Sequence, residues 1–147
     1  MQKPEFYGAV YALIENDTWE MLFVKRKNTG YLDGWYGYPA WHIEEWETLK
    51  EAIQREIREE IGLEIPESDL ELVHICHRID ATDRTYFDCY FRVKQFHGTP
   101  INAEPEKSEW VFWIDWNNEE LIQNKSILKK ISAGAYFSEI KNLEIIF

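Results

Sequence analysis

The feature that most constrains this chain is a helix whose acids stand where apolar residues belong. Residues 48–61 read as that helix: Thr48 with Glu51 three positions on forms a capping box, and Gly62 is placed to end it. On a wheel of roughly 100° per residue, Leu49, Ala52, Ile53, Ile57 and Ile61 form one stripe. Lys50, Glu51, Gln54, Arg55 and Arg58 face the other way. Glu56 and Glu60 fall on the meridian of Leu49, and Glu59 lies at its edge. Spacings of three and four residues bring the three carboxylates together, with Cβ atoms about 5–6 Å apart. Like charges repel at that distance, the helix C-terminus disfavours anions, and burial beside the stripe adds a desolvation cost. A divalent cation relieves all three, and hard oxygen ligands suit Mg²⁺ or Mn²⁺. A solvated acidic face paired with Arg55, Arg58 and nearby lysines is the alternative, and the wheel position weighs against it.

Charge elsewhere supports the same segment. Between Glu44 and Glu71 there are eleven acids and three bases, a net of −8 out of −11 for the whole 147-residue chain. Such a balance disfavours nonspecific binding to duplex nucleic acid. The apolar run around Phe6–Ile14 is far too short to span a membrane, and Met1–Glu5 does not open a signal peptide. Cys76 and Cys89 provide neither a disulfide framework nor a four-ligand zinc site, so a reducing, cytoplasmic setting is expected.

No repeat, low-complexity tract or linker divides the chain, and a single domain over 1–147 is expected. Phe6–Glu15 and Glu20–Arg26 read as a hairpin around Asn16-Asp17-Thr18, followed by an aromatic loop over Asn28–Trp46. Leu70–Arg78 and Tyr86–Gln95 read as strands, Gly98–Lys107 as a polar loop and Glu109–Ile114 as a short strand. A last helix, capped at Asn117 or Asn118, is expected to carry Leu121, Ile122, Leu128 and Ile131. Strands around a central helix with a late second helix predict an α/β or α+β sandwich.

Residues 41–63 resemble the Nudix box, which runs Gly, five residues, Glu, seven residues, then Arg-Glu-Uaa-any-Glu-Glu-any-Gly-Uaa, with Uaa bulky and aliphatic. Glu47, Arg55, Glu56, Ile57, Glu59, Glu60, Gly62 and Leu63 hold eight of the nine fixed places. The resemblance implies a Nudix-like α/β/α sandwich with a mixed central sheet. It also implies a Mg²⁺-dependent enzyme that cleaves a nucleoside diphosphate linked to another moiety. By similarity, Glu56, Glu59 and Glu60 bind metal, Glu47 and Arg55 brace the helix, and the main-chain carbonyl of Ala40 also reaches the metal. A further acid on a later strand often completes such sites, and Glu109 is the residue expected there as ligand or base. Arg26, at the end of the second strand, is the expected phosphate contact. The loop at Asn102–Lys107 is similar to one in MutT-like members acting on nucleoside triphosphates, where the Asn102 amide would read a base edge or close a turn.

The box departs from its pattern at the glycines. Trp41 holds the first place, and Trp46 stands where a glycine commonly precedes Glu47. Either the loop takes another path that keeps the Ala40 carbonyl in place, with Trp41 or Trp46 as part of the pocket wall, or catalysis is weakened and nucleotide binding kept. The expected substrate is a small nucleotide, most simply a nucleoside triphosphate hydrolysed to monophosphate and pyrophosphate. ADP-ribose, a nucleotide sugar and a capped RNA 5′ end are the alternatives within the family. Oligomeric state, a homodimer included, is open. His42, His74, His77 and His97 show no metal-ligand spacing, and strand alternation predicts that His74 and His77 face opposite ways.

Overall fold

The computed structural model describes residues 2–82 and 84–141. The chain runs β1 (Phe6–Leu13), β2 (Met21–Arg26), β3 (Tyr36–Gly37), β4 (Ala40–His42), α1 (Leu49–Ile61), β5 (Leu70–Ile79) and β6 (Thr85–Val93). It continues through β7 (Ser108–Ile114), α2 (Lys125–Ser132) and β8 (Phe137–Lys141). A five-stranded mixed sheet has the order β4-β1-β6-β5-β8, with β1 parallel to β6 and β5 parallel to β8. A second, three-stranded antiparallel sheet has the order β3-β2-β7.

Alternation along β1 divides the core in two. Ala9, Tyr11 and Leu13 pack with Tyr90 of β6 and with Ile127 and Leu128 of α2. Val10, Ala12 and Ile14 pack with Ala52, Ile53, Ile57 and Ile61 of α1. The two helices therefore cover opposite faces of the mixed sheet, and β2 contributes to both layers through Phe23 on one side and Leu22 and Val24 on the other. This is the α+β sandwich that the element order predicts.

The structure differs from the sequence reading in four places. The expected hairpin pairs only beside its turn, where Asn16 N donates to Glu20 O at 2.9 Å, Leu22 N donates to Ile14 O at 2.8 Å and Glu15 bridges Met21. Beyond that point β1 and β2 enter different sheets, because each finds a longer partner in β6 and β7. The aromatic loop contains two short strands, β3 and β4, that pair with β2 and β1. The last helix starts later than expected. Asp115, not Asn117 or Asn118, caps a 3-10 turn by accepting from Asn117 N at 3.2 Å. Leu121 and Ile122 precede α2, which Asn124 opens, and Ile122 is instead held in the core beside β3. Strand β8 has no counterpart in the sequence reading.

Helix α1 begins and ends as its sequence dictates. Thr48 Oγ1 accepts from Glu51 N and donates to Glu51 Oε1. Gly62 adopts φ 71° and donates to Arg58 O at 3.0 Å. Past the helix, Ile101 N and Ala103 N donate to the carbonyls of Ile61 and Glu60 at 2.9 and 3.0 Å. The polar loop is thereby fastened to the acidic end of α1.

Candidate active site

Arg55 organises the site. Its Nε and Nη2 donate to the two oxygens of Glu47 at 2.6 and 3.0 Å, and Nη2 also reaches His42 O at 3.1 Å. Its Nη1 donates to Glu56 Oε1 at 2.8 Å and Glu59 Oε2 at 3.2 Å. One guanidinium thus joins the preceding loop, the end of β4 and two of the helix acids. Planar, bidentate pairing is the geometry that a lysine cannot reproduce.

The three helix acids are not equivalent. Glu56 is 8% exposed, sharing the buried face with Ile53 and Ile57, whereas Glu59 is exposed and Glu60 half-buried. Burial pushes the Glu56 carboxyl up to about 7; Arg55 pulls it down, while Glu59 and Glu104 push it further up. Glu47 moves the opposite way, because the hydrogen bonds from Arg55 hold its carboxylate below the ordinary range. A buried carboxyl whose charged form is disfavoured, beside two further acids, is stabilised by a nearby cation. The donor set is all hard oxygen, which fits Mg²⁺ or Mn²⁺. Among the described residues, no three His, Cys, Asp or Glu side chains close around a single point. Arg55 is bonded to Glu56 and Glu59 in that arrangement.

Glu56, Glu59 and Glu60 line a cleft of about 560 Å³, together with Arg26, Trp41, Glu44, Glu104 and Lys107. Tyr11, Tyr38 and Gln123 are also among its walls. Of the residues singled out in the sequence, the fold brings Glu56, Glu59, Glu60, Arg55, Arg26 and Trp41 to this one cavity. Glu47 stands behind it, bound to Arg55, and the Ala40 main chain lies in β4 opposite Tyr11.

Two expected residues do not join them. The Glu109 side chain is half-exposed and pairs with Lys25 at 3.4 Å, and it does not line the cleft. Asn102 gives its amide to Ser108 O at 3.0 Å and accepts from Ser108 Oγ at 3.2 Å, so it closes its own loop. The acid that the loop delivers is Glu104, whose charge acts on Glu56. Sequence reasoning passed over it because its approach depends on the loop's bonds to the α1 carbonyls, which leave no local motif.

Arg26 is tightly held. Nε donates to Tyr31 O at 2.8 Å, Nη2 donates to Thr29 Oγ1 at 3.2 Å, and the guanidinium lies 5.6 and 5.5 Å from the ring centres of Tyr31 and Trp41. Trp41 therefore forms a wall of the cleft. Both tryptophans at the missing glycines keep positive φ: 158° at Trp41, close to the extended limit, and 67° at Trp46, squarely left-handed. The loop has retained the backbone form of a glycine at position 46 without the glycine.

His74, His77 and the two cysteines do not line the cleft. His74 is buried on β5, its Nδ1 on Ala135 O at 2.8 Å and its Nε2 on Ser138 Oγ at 2.7 Å. His77 lies on the other face against Phe87. Burial pushes the Cys89 thiol up to about 11 and raises that of Cys76, so neither is a nucleophile near neutral pH.

Three carboxylates at one helix end, braced by Arg55, thus share a single cleft with Arg26 and Lys107. The NUDIX domain model matches residues 6–133, and the chain belongs to that family. It is a Nudix hydrolase, a pyrophosphohydrolase; the family acts on small nucleotide substrates and generally uses divalent metal ions. The structure is similar to a MutT NUDIX hydrolase from Burkholderia pseudomallei, at 23% identity and TM-score 0.74 over 84% of this chain and 95% of that one. It is also similar to a MutT protein from Methanosarcina mazei Go1, at 18% identity and TM-score 0.76 over 90% and 97%. An ADP-ribose pyrophosphatase from Streptococcus suis shares 12% identity and TM-score 0.60 over 91% and 98%. These are likenesses of fold. No helix among the described residues is long and apolar enough to cross a membrane.

Proposed function

We propose that this protein, as one Nudix domain, hydrolyses a nucleoside triphosphate to nucleoside monophosphate and pyrophosphate in the cytoplasm. The observation that carries this reading is Glu56: a buried carboxyl pushed up to about 7, beside Glu59 and Glu60, at the wall of a cleft that also holds Arg26 and Lys107. Glu56, Glu59, Glu60 and the Ala40 carbonyl would hold Mg²⁺ or Mn²⁺, which when bound would neutralise charge on the phosphate chain and lower the pKa of the attacking water.

The chain's own groups divide the remaining work. Arg55 fixes the rotamers of Glu56 and Glu59 and ties them through Glu47 to the loop ahead of the helix. Arg26 and Lys107 offer cations to phosphate oxygens, which an otherwise acidic cleft repels. Water attacks one phosphorus of the anhydride and gives up its proton to a carboxylate. The bridging P–O bond breaks, and pyrophosphate leaves. Glu56 and Glu104 are the carboxylates we assign as candidate bases, Glu104 taking the part the sequence suggested for Glu109.

Turnover of a panel of nucleoside triphosphates with Mg²⁺, compared between wild type and Glu59→Gln, tests this. Release of pyrophosphate by wild type and its loss in Glu59→Gln is the expected result. Equal or absent turnover of every diphosphate compound in both removes the enzymatic reading of this site. ADP-ribose and nucleotide sugars belong in the panel, since a fold neighbour is an ADP-ribose pyrophosphatase. The tryptophans at the glycine positions motivate a second reading, a nucleotide-binding domain with weakened catalysis. Nucleotide that quenches tryptophan fluorescence without being consumed over hours selects it.

A further inference from the structure

Two rings and two acceptors hold the Arg26 guanidinium before any substrate arrives. Nε and Nη2 are spent on Tyr31 O and Thr29 Oγ1, and Nη1 carries no hydrogen bond among the described residues. The loop that supplies the acceptors is itself closed. Asp33 accepts from Thr29 N and Gly30 N, both at 3.1 Å, and from Thr29 Oγ1 at 2.6 Å, while Gly34 N donates to Arg26 O at 2.8 Å. One ring, Tyr31, comes from this loop; the other, Trp41, comes from β4.

Trp41 is fixed independently of that loop. It pairs with Val10 across β4 and β1, its ring meets His42 at 4.7 Å, and His42 stacks on Tyr86 at 5.8 Å. The His42 carbonyl in turn accepts from Arg55. Through Trp41, the arginine that ends β2 is therefore tied to the strand that leads toward α1. The glycine that the box pattern asks for at position 41 has no ring to offer. A flat guanidinium is attracted to aromatic faces, and a long side chain that is already ordered loses less freedom when it binds. Arg26, Trp41 and Tyr31 all line the cleft that holds the helix acids.

We infer that Trp41 is a positioning residue which, with Tyr31, holds Arg26 in the pose that meets a phosphate oxygen. The side chain that breaks the box pattern thereby serves phosphate binding through the arginine, and restoring the glycine weakens the enzyme. This rests on the proposed phosphate role of Arg26 and adds the residues that set its geometry.

A double-mutant cycle over Trp41→Leu and Arg26→Met tests it, read as kcat/KM on the nucleoside triphosphate that wild type turns over fastest. Trp41→Leu and Trp41→Gly should each lower kcat/KM by about 2- to 30-fold, mostly through KM. Trp41→Phe, which keeps an aromatic face, should retain most of the wild-type value. In the Arg26→Met background, Trp41→Leu should change kcat/KM by less than about twofold, because the group it acts through is gone. Tyr31→Leu removes the other ring, which is exposed, and keeps the carbonyl that Arg26 Nε uses. It should reproduce the loss without disturbing β4. In ¹⁵N NMR of the free protein, the Arg26 Nε–H proton should be shifted upfield by the rings and should move downfield in Trp41→Leu and in Tyr31→Leu. A Trp41→Gly enzyme equal to or better than wild type, additive losses in the cycle, or an unmoved Arg26 resonance overturns the inference and leaves the nucleotide reading intact. An Arg26→Met enzyme equal to wild type overturns it together with the phosphate role of Arg26. A wild type that neither turns over nor binds any nucleoside triphosphate overturns both readings.

Discussion

Arg55 Nε meets Glu47 Oε2 at 2.6 Å, and Arg55 Nη2 meets Glu47 Oε1 at 3.0 Å, so the loop ahead of α1 is clamped to the second turn of the helix. The same guanidinium holds Glu56 and Glu59, which makes the clamp both a structural brace and the means of aiming the site acids.

The clamp has a pH signature. Hydrogen bonds from Arg55 lower the Glu47 carboxyl below its ordinary value of 4.5 in the folded protein. A depressed folded value means that the unfolded chain binds the proton more readily. The stabilisation is therefore complete above about 4.5 and is lost as pH falls through the folded value. Thermal melts between about pH 3 and 6 should show a shallower acid decline in Glu47→Gln than in wild type. At neutral pH that variant should be less stable by about 1–3 kcal/mol.

Trp46 sits at φ 67° and is 98% exposed, so it bears left-handed strain with no burial to offset it. A non-glycine residue in that region costs about 1–2 kcal/mol. Trp46→Gly should raise the melting temperature by about 2–4 °C, part of the relief being returned as backbone entropy. An unchanged or lower midpoint in calorimetry refutes this account of the loop.

Gly62 faces both a conformational and a steric demand. Its φ is 71°, and an added Cβ would stand 2.9 Å from Ile101 Cγ1. Gly62→Ala should cost about 1–3 kcal/mol in chemical denaturation. Because Ile101 belongs to the loop that carries Glu104, turnover should fall as well. Denaturant midpoints and kcat/KM measured on the same preparation check the two together.

The two acids of the late loop and strand should separate in kinetics. Glu104 lines the cleft and acts on Glu56, whereas Glu109 is paired with Lys25 in solvent. Glu104→Gln should lower kcat/KM by about tenfold or more, equivalent to roughly 1.4 kcal/mol of barrier. Glu109→Gln, which removes an exposed ion pair, should stay within about twofold of wild type. The reverse order would return Glu109 to the site.

Legibility in the sequence followed the range of the interaction. Helix α1, its caps and the convergence of Glu56, Glu59 and Glu60 were readable because spacing within one helix fixes them. Strands β5, β6 and β7 were located within about two residues, since apolar runs mark them. Strands β3 and β4, two and three residues long, carry too little pattern to declare themselves. Leu121 and Ile122 imitate the start of a helix, but the pairing of Tyr36 with Leu121 draws that segment to β3 before α2 begins.

The sequence alone determined that Glu56, Glu59 and Glu60 cluster near the end of one helix, since spacings of three and four residues within a helix fix that. Tertiary structure decided which of those acids is buried, which later acid reaches them, and how the backbone accommodates Trp41 and Trp46. Those outcomes depend on loops fastened by hydrogen bonds between residues such as Ala103 and Glu60, some forty positions apart, and on β1 and β2 choosing partners in different sheets. Local composition holds no record of such long-range pairing, because its free energy appears only once the whole core has assembled.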